Sequence, residues 1–205
     1  MIGVDIVDLR AIQWPSASHR DRYVKKVFSP KEIASLDQQI LDRNLAIWIG
    51  WAIKESVYKL EFRTQAKRYF RPKKLEILSI NSASRFVVLS QQTGQIYQGQ
   101  VLKHPDYVLA IASSNLPHIK LEVFSIPEVN SSVATRDFTL KALRERWGAR
   151  LSTIAWRPFP IGYLSSTKQR CSNFSSQQTI PLSTSHHGRW ACYAFYQAPI
   201  KQLQP

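Results

Sequence analysis

Acidic side chains are scarce in this chain of 205 residues. Aspartate and glutamate number 14 against 28 lysine and arginine residues, so the formal net charge is +14 and the isoelectric point is near 10.0. A surplus of this size is typical of a protein that meets a negatively charged partner. Nucleic acid, an anionic membrane, a polyphosphate ligand and an acidic protein are all open as that partner.

Cysteine and long apolar runs are also nearly absent. The two cysteines are Cys171 and Cys192, and no group of cysteine and histidine has the spacing of a zinc site. We therefore expect a cytoplasmic protein of a reducing compartment, without disulfides. The longest apolar run, residues 45–53, is far too short to span a membrane, and the N-terminus does not resemble a signal peptide. Glycine-rich phosphate loops and the serine elbow of hydrolases are missing as well.

The segment WIGWAIKESVYKL, residues 48–60, predicts a helix that is apolar on nearly every side and is therefore buried. At 3.6 residues per turn, Trp48, Ala52, Glu55 and Lys59 fall on one stripe. Removing the partner of a buried charge costs roughly 3–5 kcal/mol, so Glu55 needs a cation. Two interpretations follow: an internal ion pair with Lys59, one turn away, or a metal and phosphate site at the mouth of a cleft.

The N-terminal segment, residues 2–9, alternates as a strand whose two faces are both mostly apolar, as in a strand covered on both sides. Asp5 is out of place there in the same way as Glu55 is in the helix. If the two carboxylates meet, their repulsion requires a divalent cation or a shared proton, and open oxygen ligation favours magnesium. Asp8 and Arg10 follow where the strand ends, and we expect both to be solvated.

Local signals predict two helices between these segments. Residues 16–28 form a basic amphipathic pattern. Ser29 and Glu32 form a capping box that starts a second helix, with proline in its first turn. Arg43 and Asn44 are expected in the connection between this helix and the central one.

A dense cationic cluster follows the central helix. Six lysine and arginine residues crowd into residues 63–74, with aromatic side chains between them. Such a run is usually a solvated face, but interleaved aromatics favour contact with an anion or with another chain. Strands are then predicted at residues 75–80, 85–90, 95–102 and 107–112.

After a seam at residues 115–117, the chain repeats an order of strand, helix and strands, so it has two weakly similar halves. We predict a strand at residues 119–126 and a helix at residues 135–147. The serine-rich residues 164–179 predict a flexible loop that could act as a lid. Within residues 180–196, two strands flank a predicted Ser-His-His-Gly turn.

Four segments resemble the signature of the 4′-phosphopantetheinyl transferase superfamily. GVDIVDL at residues 3–9 is similar to its Gly-x-Asp-Ile strand, and WAIKESVYK at residues 51–59 to its Trp/Phe-x-x-Lys-Glu-Ser/Ala-x-x-Lys helix. FSPKE at residues 28–32 lies between them, and STSHHGRW at residues 183–190 resembles the Ser-x-Ser-His turn. The resemblance implies that magnesium and coenzyme A bind and that a carrier-protein serine attacks the pyrophosphate. Phosphopantetheine is then transferred, with release of adenosine 3′,5′-bisphosphate.

The resemblance also implies roles for five residues. Asp5 and Glu55 match the magnesium ligands, and Glu55 would help to deprotonate the attacking serine. Lys59 matches the lysine at the phosphates and is expected, with Glu55, to be catalytic. Ser185 and His186 match the turn that contacts the coenzyme A phosphates. The site is therefore expected to span a cleft between the two halves.

The sequence departs from the family pattern at four positions and in motif order. Val7 stands where the large surfactin-synthetase type has a second acidic ligand, and Asp8 stands where the small holo-carrier synthases often have glutamate. Ser183 and His187 differ from the commoner asparagine and serine of the large type. The half that ends in the Ser-His turn comes first in the large type and last here.

The implied fold is α/β (α+β), a pseudo-dimer of two similar halves, residues 1–117 and 118–205, each a small, mostly antiparallel sheet packed with helices. Carrier proteins are acidic, so Lys67, Arg68 and Arg71 of the cationic cluster are candidate carrier contacts. No membrane partner is expected, and a pseudo-dimer is compatible with a monomeric protein.

Two alternative functions are open. A basic nucleic-acid-binding module explains the net charge, but it does not explain Asp5, Glu55 and Lys59 on apolar elements. A former transferase that binds a carrier or coenzyme A without turnover would have the same motifs.

Overall fold

A computed structural model describes residues 1–11, 13–65, 70–113, 116–126, 131–147, 154–157, 163–166 and 178–196. In these ranges the helices are α1 (Ala17–Val27), α2 (Pro30–Gln39), α3 (Arg43–Gln65) and α4 (Ser131–Trp147). The strands are β1 (Ile2–Asp8), β2 (Leu75–Ile80), β3 (Arg85–Ser90), β4 (Ile96–Lys103), β5 (Tyr107–Ser113), β6 (Ile119–Ser125), β7 (Ile154–Arg157), β8 (Tyr163–Ser166), β9 (Gln178–His187) and β10 (Trp190–Tyr196). Within the described ranges, no helix is long and apolar enough to cross a membrane.

The strands form two antiparallel sheets. The first has the order β1-β5-β4-β3-β2 and the second the order β6-β10-β9-β8-β7. The first sheet is built from residues 2–113 and the second from residues 119–196. The predicted α+β class with antiparallel sheets is therefore confirmed.

The first sheet packs one face against α3, whose apolar residues form the main core with residues of β1, β3 and β5. The capping box of α2 is confirmed: Ser29 Oγ accepts from the backbone N–H of Glu32, and Glu32 Oε2 accepts from that of Ser29. Lys54 of α3 is fully buried, and its ammonium lies 2.7 Å from Oε1 of Glu32. It also donates to the carbonyls of Val27 and Pro72. Only the capping role of Glu32 was predicted from the sequence, and this ion pair was not.

Helix α3 begins earlier than the sequence indicated. The prediction that Arg43 and Asn44 connect two helices is wrong, because both lie in the first turn of α3. Oδ1 of Asp42 accepts hydrogen bonds from the backbone N–H groups of Asn44 and Leu45, at 2.8 and 3.2 Å. These bonds satisfy two backbone donors of the first turn, so the helix can begin at Arg43.

The second sheet has two covered faces. On one side, Leu182 of β9 and two aromatic residues of β10 pack with Leu143 of α4. On the other side, Cys192 and Ala194 of β10 pack against apolar residues of β1 and β5. Alternate residues of β9 and β10 therefore face either α4 or the first sheet. This second core joins the two sheets.

Three predictions in the second half need correction. Helix α4 begins at Ser131, four residues before its predicted start. The predicted loop at residues 164–179 is wrong at both ends, because its first residues belong to β8 and its last to β9; residues 167–177 lie outside the described part of the chain. Ser185, His186 and His187 lie on β9 and not in a turn, and the turn that follows them is at residues 188–189.

Candidate active site

One cavity of about 560 Å³ lies where β1, α3, β9 and the first turns of α4 meet. The five site residues that the sequence singled out all line it: Asp5, Glu55, Lys59, Ser185 and His186. The first three come from strands and helices of the first sheet's half, and the last two come from β9 of the second sheet. Folding thus brings β1 and β9, which are far apart in the sequence, to one cavity.

Close packing of β1 on α3 places Asp5 at the cavity. A Cβ atom on Gly3 would lie 1.9 Å from the carbonyl oxygen of Ser56, so only glycine allows this approach. Asp5, two residues on, points to the same side of the strand and is only 5% exposed. The Gly-x-Asp spacing of the sequence therefore has a steric reason.

Lys59 neutralises Asp5 and not Glu55. Its ammonium donates to Oδ1 of Asp5 at 2.7 Å, to Oγ of Ser185 at 3.0 Å and to the carbonyl of Val4 at 3.1 Å. These three bonds use all three ammonium hydrogens. The predicted internal ion pair of Glu55 with Lys59 is therefore wrong, since β1 supplies a better-placed carboxylate.

Glu55 is a partly buried carboxylate beside this network. Among the residues that the structure describes, it has no ion pair and no hydrogen bond through its side chain. Burial raises the pKa of Glu55 to about 7; Lys59 lowers it and the negative charge of Asp5 raises it. The cavity therefore holds a carboxylate that a bound cation would stabilise in its ionised form.

His186 faces the opposite side of β9 from Ser185. Its Nε2 atom lies 2.8 Å from Oγ of Ser132, in the first turn of α4. Burial lowers the pKa of His186, and the charge of Lys59 lowers it further, whereas the charge of Asp5 raises it. The sequence had missed Ser132 because α4 was predicted to begin four residues later.

Asp8 corrects another expectation, since it is fully buried and not solvated. Its carboxylate accepts two hydrogen bonds from the Arg189 guanidinium, at 3.0 and 3.1 Å, and one from the Arg189 backbone N–H at 3.0 Å. Gly188 has φ of +54°, and a Cβ there would lie 2.6 Å from Oδ2 of Asp8. Arg10 is exposed as expected, with 67% of its side chain accessible.

One of the three candidate carrier contacts lies in the described part of the chain. Lys67 and Arg68 lie outside the described residues, whereas Arg71 is described and exposed. The neighbouring Phe70 packs its ring edge against Trp51, with ring centroids 5.4 Å apart, and Trp51 lines the cavity. Arg71 therefore directly follows a ring that packs against a residue of the cavity wall.

The donor set fits magnesium with open coordination positions. No group of three or more histidine, cysteine or acidic residues is close enough to hold a metal, as far as the described ranges extend. Val7 is buried in the apolar core and adds no ligand. Two carboxylates in one cavity, one of them without a counter-charge among the described residues, suit an ion that keeps waters and takes further ligands from substrate phosphates.

The first 112 residues match a known protein family. The family model described as ACPS, 4′-phosphopantetheinyl transferase superfamily, matches residues 1–112. The match includes Asp5, Glu55 and Lys59 and covers more than half of the chain. No curated protein matches the chain. The chain therefore belongs to the 4′-phosphopantetheinyl transferase superfamily, whose name describes the transfer of a phosphopantetheine group.

Proposed function

We propose that the chain transfers 4′-phosphopantetheine from coenzyme A to a serine of an apo carrier protein, with magnesium, and releases adenosine 3′,5′-bisphosphate. The observation that carries the proposal is the single cavity lined by Asp5, Glu55 and Lys59 from one half and by His186 from the other. The halves in this proposal are residues 1–117 and 118–205. A nucleic-acid-binding module would not require two carboxylates and a lysine in such a cavity.

Asp5 and Glu55 are the proposed magnesium ligands. When bound, the ion supplies positive charge to the pyrophosphate oxygens of coenzyme A and to both carboxylates. Asp5 is held by Lys59 and by Ser185, whose hydroxyl donates to Oδ1 at 2.8 Å. The position of Asp5 is therefore fixed before any substrate arrives.

The phosphates lie, in this proposal, between the two sheets. Lys59 and Ser185 line the cavity on the Asp5 side, and His186 lines it beside α4. To contact a phosphate, the Lys59 ammonium breaks one of its three present hydrogen bonds and donates to a phosphate oxygen instead. His186 offers an imidazole donor from the other wall, so coenzyme A would bridge the halves.

The proton of the carrier serine goes to Glu55. The serine oxygen forms a bond to the phosphorus that carries the pantetheine arm, and the bond from that phosphorus to the bridging pyrophosphate oxygen breaks. Glu55 accepts the hydroxyl proton, and the leaving adenosine 3′,5′-bisphosphate takes the bridging oxygen. Trp51 lines the same cavity, and its ring centroid lies 5.5 Å from that of Tyr23.

The carrier is proposed to dock on the cationic cluster, with Lys67, Arg68 and Arg71 as its contacts. Lys73 and Lys74 are exposed in the 3₁₀ turn that follows Arg71. Helix α1 packs against this turn and ends with exposed lysines. An acidic carrier helix would meet complementary charge beside the cavity, which favours fast encounter and correct orientation.

A labelled-substrate assay tests the function. The chain is incubated with coenzyme A carrying a fluorophore on its thiol and with apo carriers from fatty-acid, polyketide and peptide synthesis. We expect at least one carrier to become fluorescent after denaturing electrophoresis when magnesium is present, and a Ser→Ala carrier to remain dark. If every carrier remains dark, the protein is not a transferase for these classes of substrate.

A further inference from the structure

β1 lies at the edge of the first sheet, so the N–H groups on its outer side face no partner strand of that sheet. β1 is the first strand of its sheet and pairs with β5 on one side only. In an antiparallel pair, every second residue of an edge strand points its N–H group away from the partner strand. Buried N–H groups need an acceptor, and β1 is buried along its whole length.

Three side chains of β9 supply these acceptors. The three acceptors are at every second position of β9. The three N–H groups that donate to them are likewise at every second position of β1. The bonds run from Val4 N to Ser183 Oγ at 2.9 Å, from Ile6 N to Ser185 Oγ at 3.3 Å and from Asp8 N to His187 Nδ1 at 3.1 Å. Donor and acceptor are 179 positions apart in every bond, so the three bonds share one register. We call this set the β9 ladder.

The β9 ladder replaces a neighbouring strand with side chains. It holds the odd-numbered residues of this part of β9 against β1, which leaves His186 on the side of α4. A shift by one residue would exchange the two faces of β9 and turn Leu182 away from its core beside α4. The ladder therefore fixes which residues of β9 face Asp5 and which face α4.

We infer that Ser183 and His187 are positioning residues that hold Asp5 and His186 in register across the cavity. In this role, neither the Ser183 hydroxyl nor the His187 imidazole needs to contact the substrate. The inference rests on the proposed function, since the register matters because both walls must contact one coenzyme A molecule. Both residues differ from the commoner asparagine and serine of the large type, and each supplies an acceptor to β1.

The acceptor role defines the form of His187. A ring nitrogen that accepts from a backbone N–H carries no proton, so the proton of the neutral ring is on Nε2. Asparagine can place its Oδ1 atom near the position of Nδ1 and keep the bond, whereas leucine fills the space without an acceptor. These two substitutions therefore separate the hydrogen bond from side-chain volume.

Amide hydrogen exchange followed by NMR tests the ladder in the unmodified chain. On a free edge, the outward amides exchange rapidly while those bonded to β5 are protected. We expect the amides of Val4, Ile6 and Asp8 to exchange more slowly than unprotected amides by a factor of at least about ten. The net free energy of an ordinary hydrogen bond corresponds to roughly this factor. Rapid exchange at these three amides would overturn the inference.

The variants His187→Leu and His187→Asn test positioning. We expect His187→Leu to speed exchange at the Asp8 amide about tenfold and to lower kcat by about tenfold to a hundredfold, as misplacement of a catalytic group does. The KM for the carrier should not change, and His187→Asn should restore both exchange and kcat. Ser125→Ala, which removes an exposed hydroxyl from β6 of the same sheet, is the control and should match the wild type.

Each outcome decides one claim. A normal kcat in His187→Leu, with the Asp8 amide exposed, would show that the ladder does not position the site. If His187→Leu does not fold, Ser183→Ala and Ser183→Thr make the same comparison at the Val4 amide. If the wild type transfers nothing, the proposed function fails. The exchange measurement still tests the ladder in that case: slow exchange at the three amides supports it, and fast exchange overturns it.

Discussion

The ammonium of Lys59 lies 2.7 Å from Oδ1 of Asp5, although the two residues are 54 positions apart. The same ammonium donates to Ser185 Oγ on the second sheet. One lysine therefore joins β1, α3 and β9 at the wall of the cavity. Glu55 has no comparable ion pair within the described part of the chain. Neutralising Asp5 therefore breaks an ion pair, whereas neutralising Glu55 breaks none among the described residues.

Neutralising the two carboxylates should affect stability differently in metal-free buffer. Asp5→Asn leaves the mostly buried Lys59 ammonium without a counter-charge and should lower the free energy of unfolding by about 1–3 kcal/mol. Glu55→Gln removes a carboxylate that has no ion pair among the described residues, together with its repulsion with Asp5, so the free energy of unfolding should stay equal or rise. Urea denaturation at pH 8 with chelator measures both, and Glu76→Gln on β2 is the control. Equal losses in the two variants would contradict this account.

The Asp8–Arg189 pair predicts a loss of stability in acid. Burial alone would raise the pKa of Asp8, but hydrogen bonds from the side chain and backbone of Arg189 bring it below its ordinary value of 3.8, to about 2. A lowered pKa stabilises the fold above the ordinary value, and this contribution disappears as pH falls through about 2. The shift corresponds to about 2 kcal/mol.

Urea denaturation of the wild type and Asp8→Asn from pH 6 to pH 2 measures this contribution. The difference in free energy of unfolding should be constant above about pH 5 and should fall by about 2 kcal/mol by pH 2. Asp37→Asn, which breaks the partly exposed pair with Arg43, should show a much smaller dependence. A wild-type advantage that is the same at pH 6 and pH 2 would rule out the pair as its source.

The cationic cluster should act on the carrier and not on coenzyme A. Replacing Lys67, Arg68 and Arg71 with alanine should raise the KM for the carrier and leave the KM for coenzyme A nearly unchanged. The effect should shrink at high salt, because exposed charges are screened over about 8–10 Å at physiological ionic strength. An equal rise in both KM values would count against carrier docking. Tight, strongly salt-dependent binding to random duplex DNA would favour the nucleic-acid-binding alternative.

His186 and His187 should differ in coenzyme A binding. Nδ1 of His187 is occupied by the Asp8 backbone N–H, whereas the His186 ring contacts a serine hydroxyl at the cavity. His186→Ala should therefore weaken coenzyme A binding by about tenfold, as loss of a hydrogen bond to a charged group does. His187→Ala should change the dissociation constant less. Calorimetry with magnesium present measures both, and the reverse order would refute the assignment of His186.

Local features could be predicted from the sequence. The Ser29–Glu32 capping box depends on residues three apart and forms as expected. The apolar alternation of β1 and the buried character of α3 were also readable, because periodicity reports burial. Asp5 and Glu55 were recognisable as candidates because a carboxylate contradicts the apolar pattern around it.

Partners distant in sequence could not be predicted. Asp8 was expected in solvent because Arg189, its partner, is 181 positions away. The ion pair of Lys54 could not be predicted, because its partner Glu32 has a local role in the cap that accounts for the residue. The Ser-His-His-Gly segment was expected to be a turn, whereas its first three residues extend β9 along β1. In each case a tertiary contact decided a conformation or an environment that local sequence left open.

Intact-mass spectrometry of an apo carrier tests the central claim most directly. The carrier is incubated with coenzyme A and magnesium in the presence of the wild-type chain, Asp5→Ala or Glu55→Ala, and in a parallel series with excess chelator. We predict that the wild type adds the mass of one phosphopantetheine group to the carrier with magnesium, and that neither variant nor the chelated wild type does so. Full conversion in excess chelator, or by either variant, would contradict a magnesium site at Asp5 and Glu55.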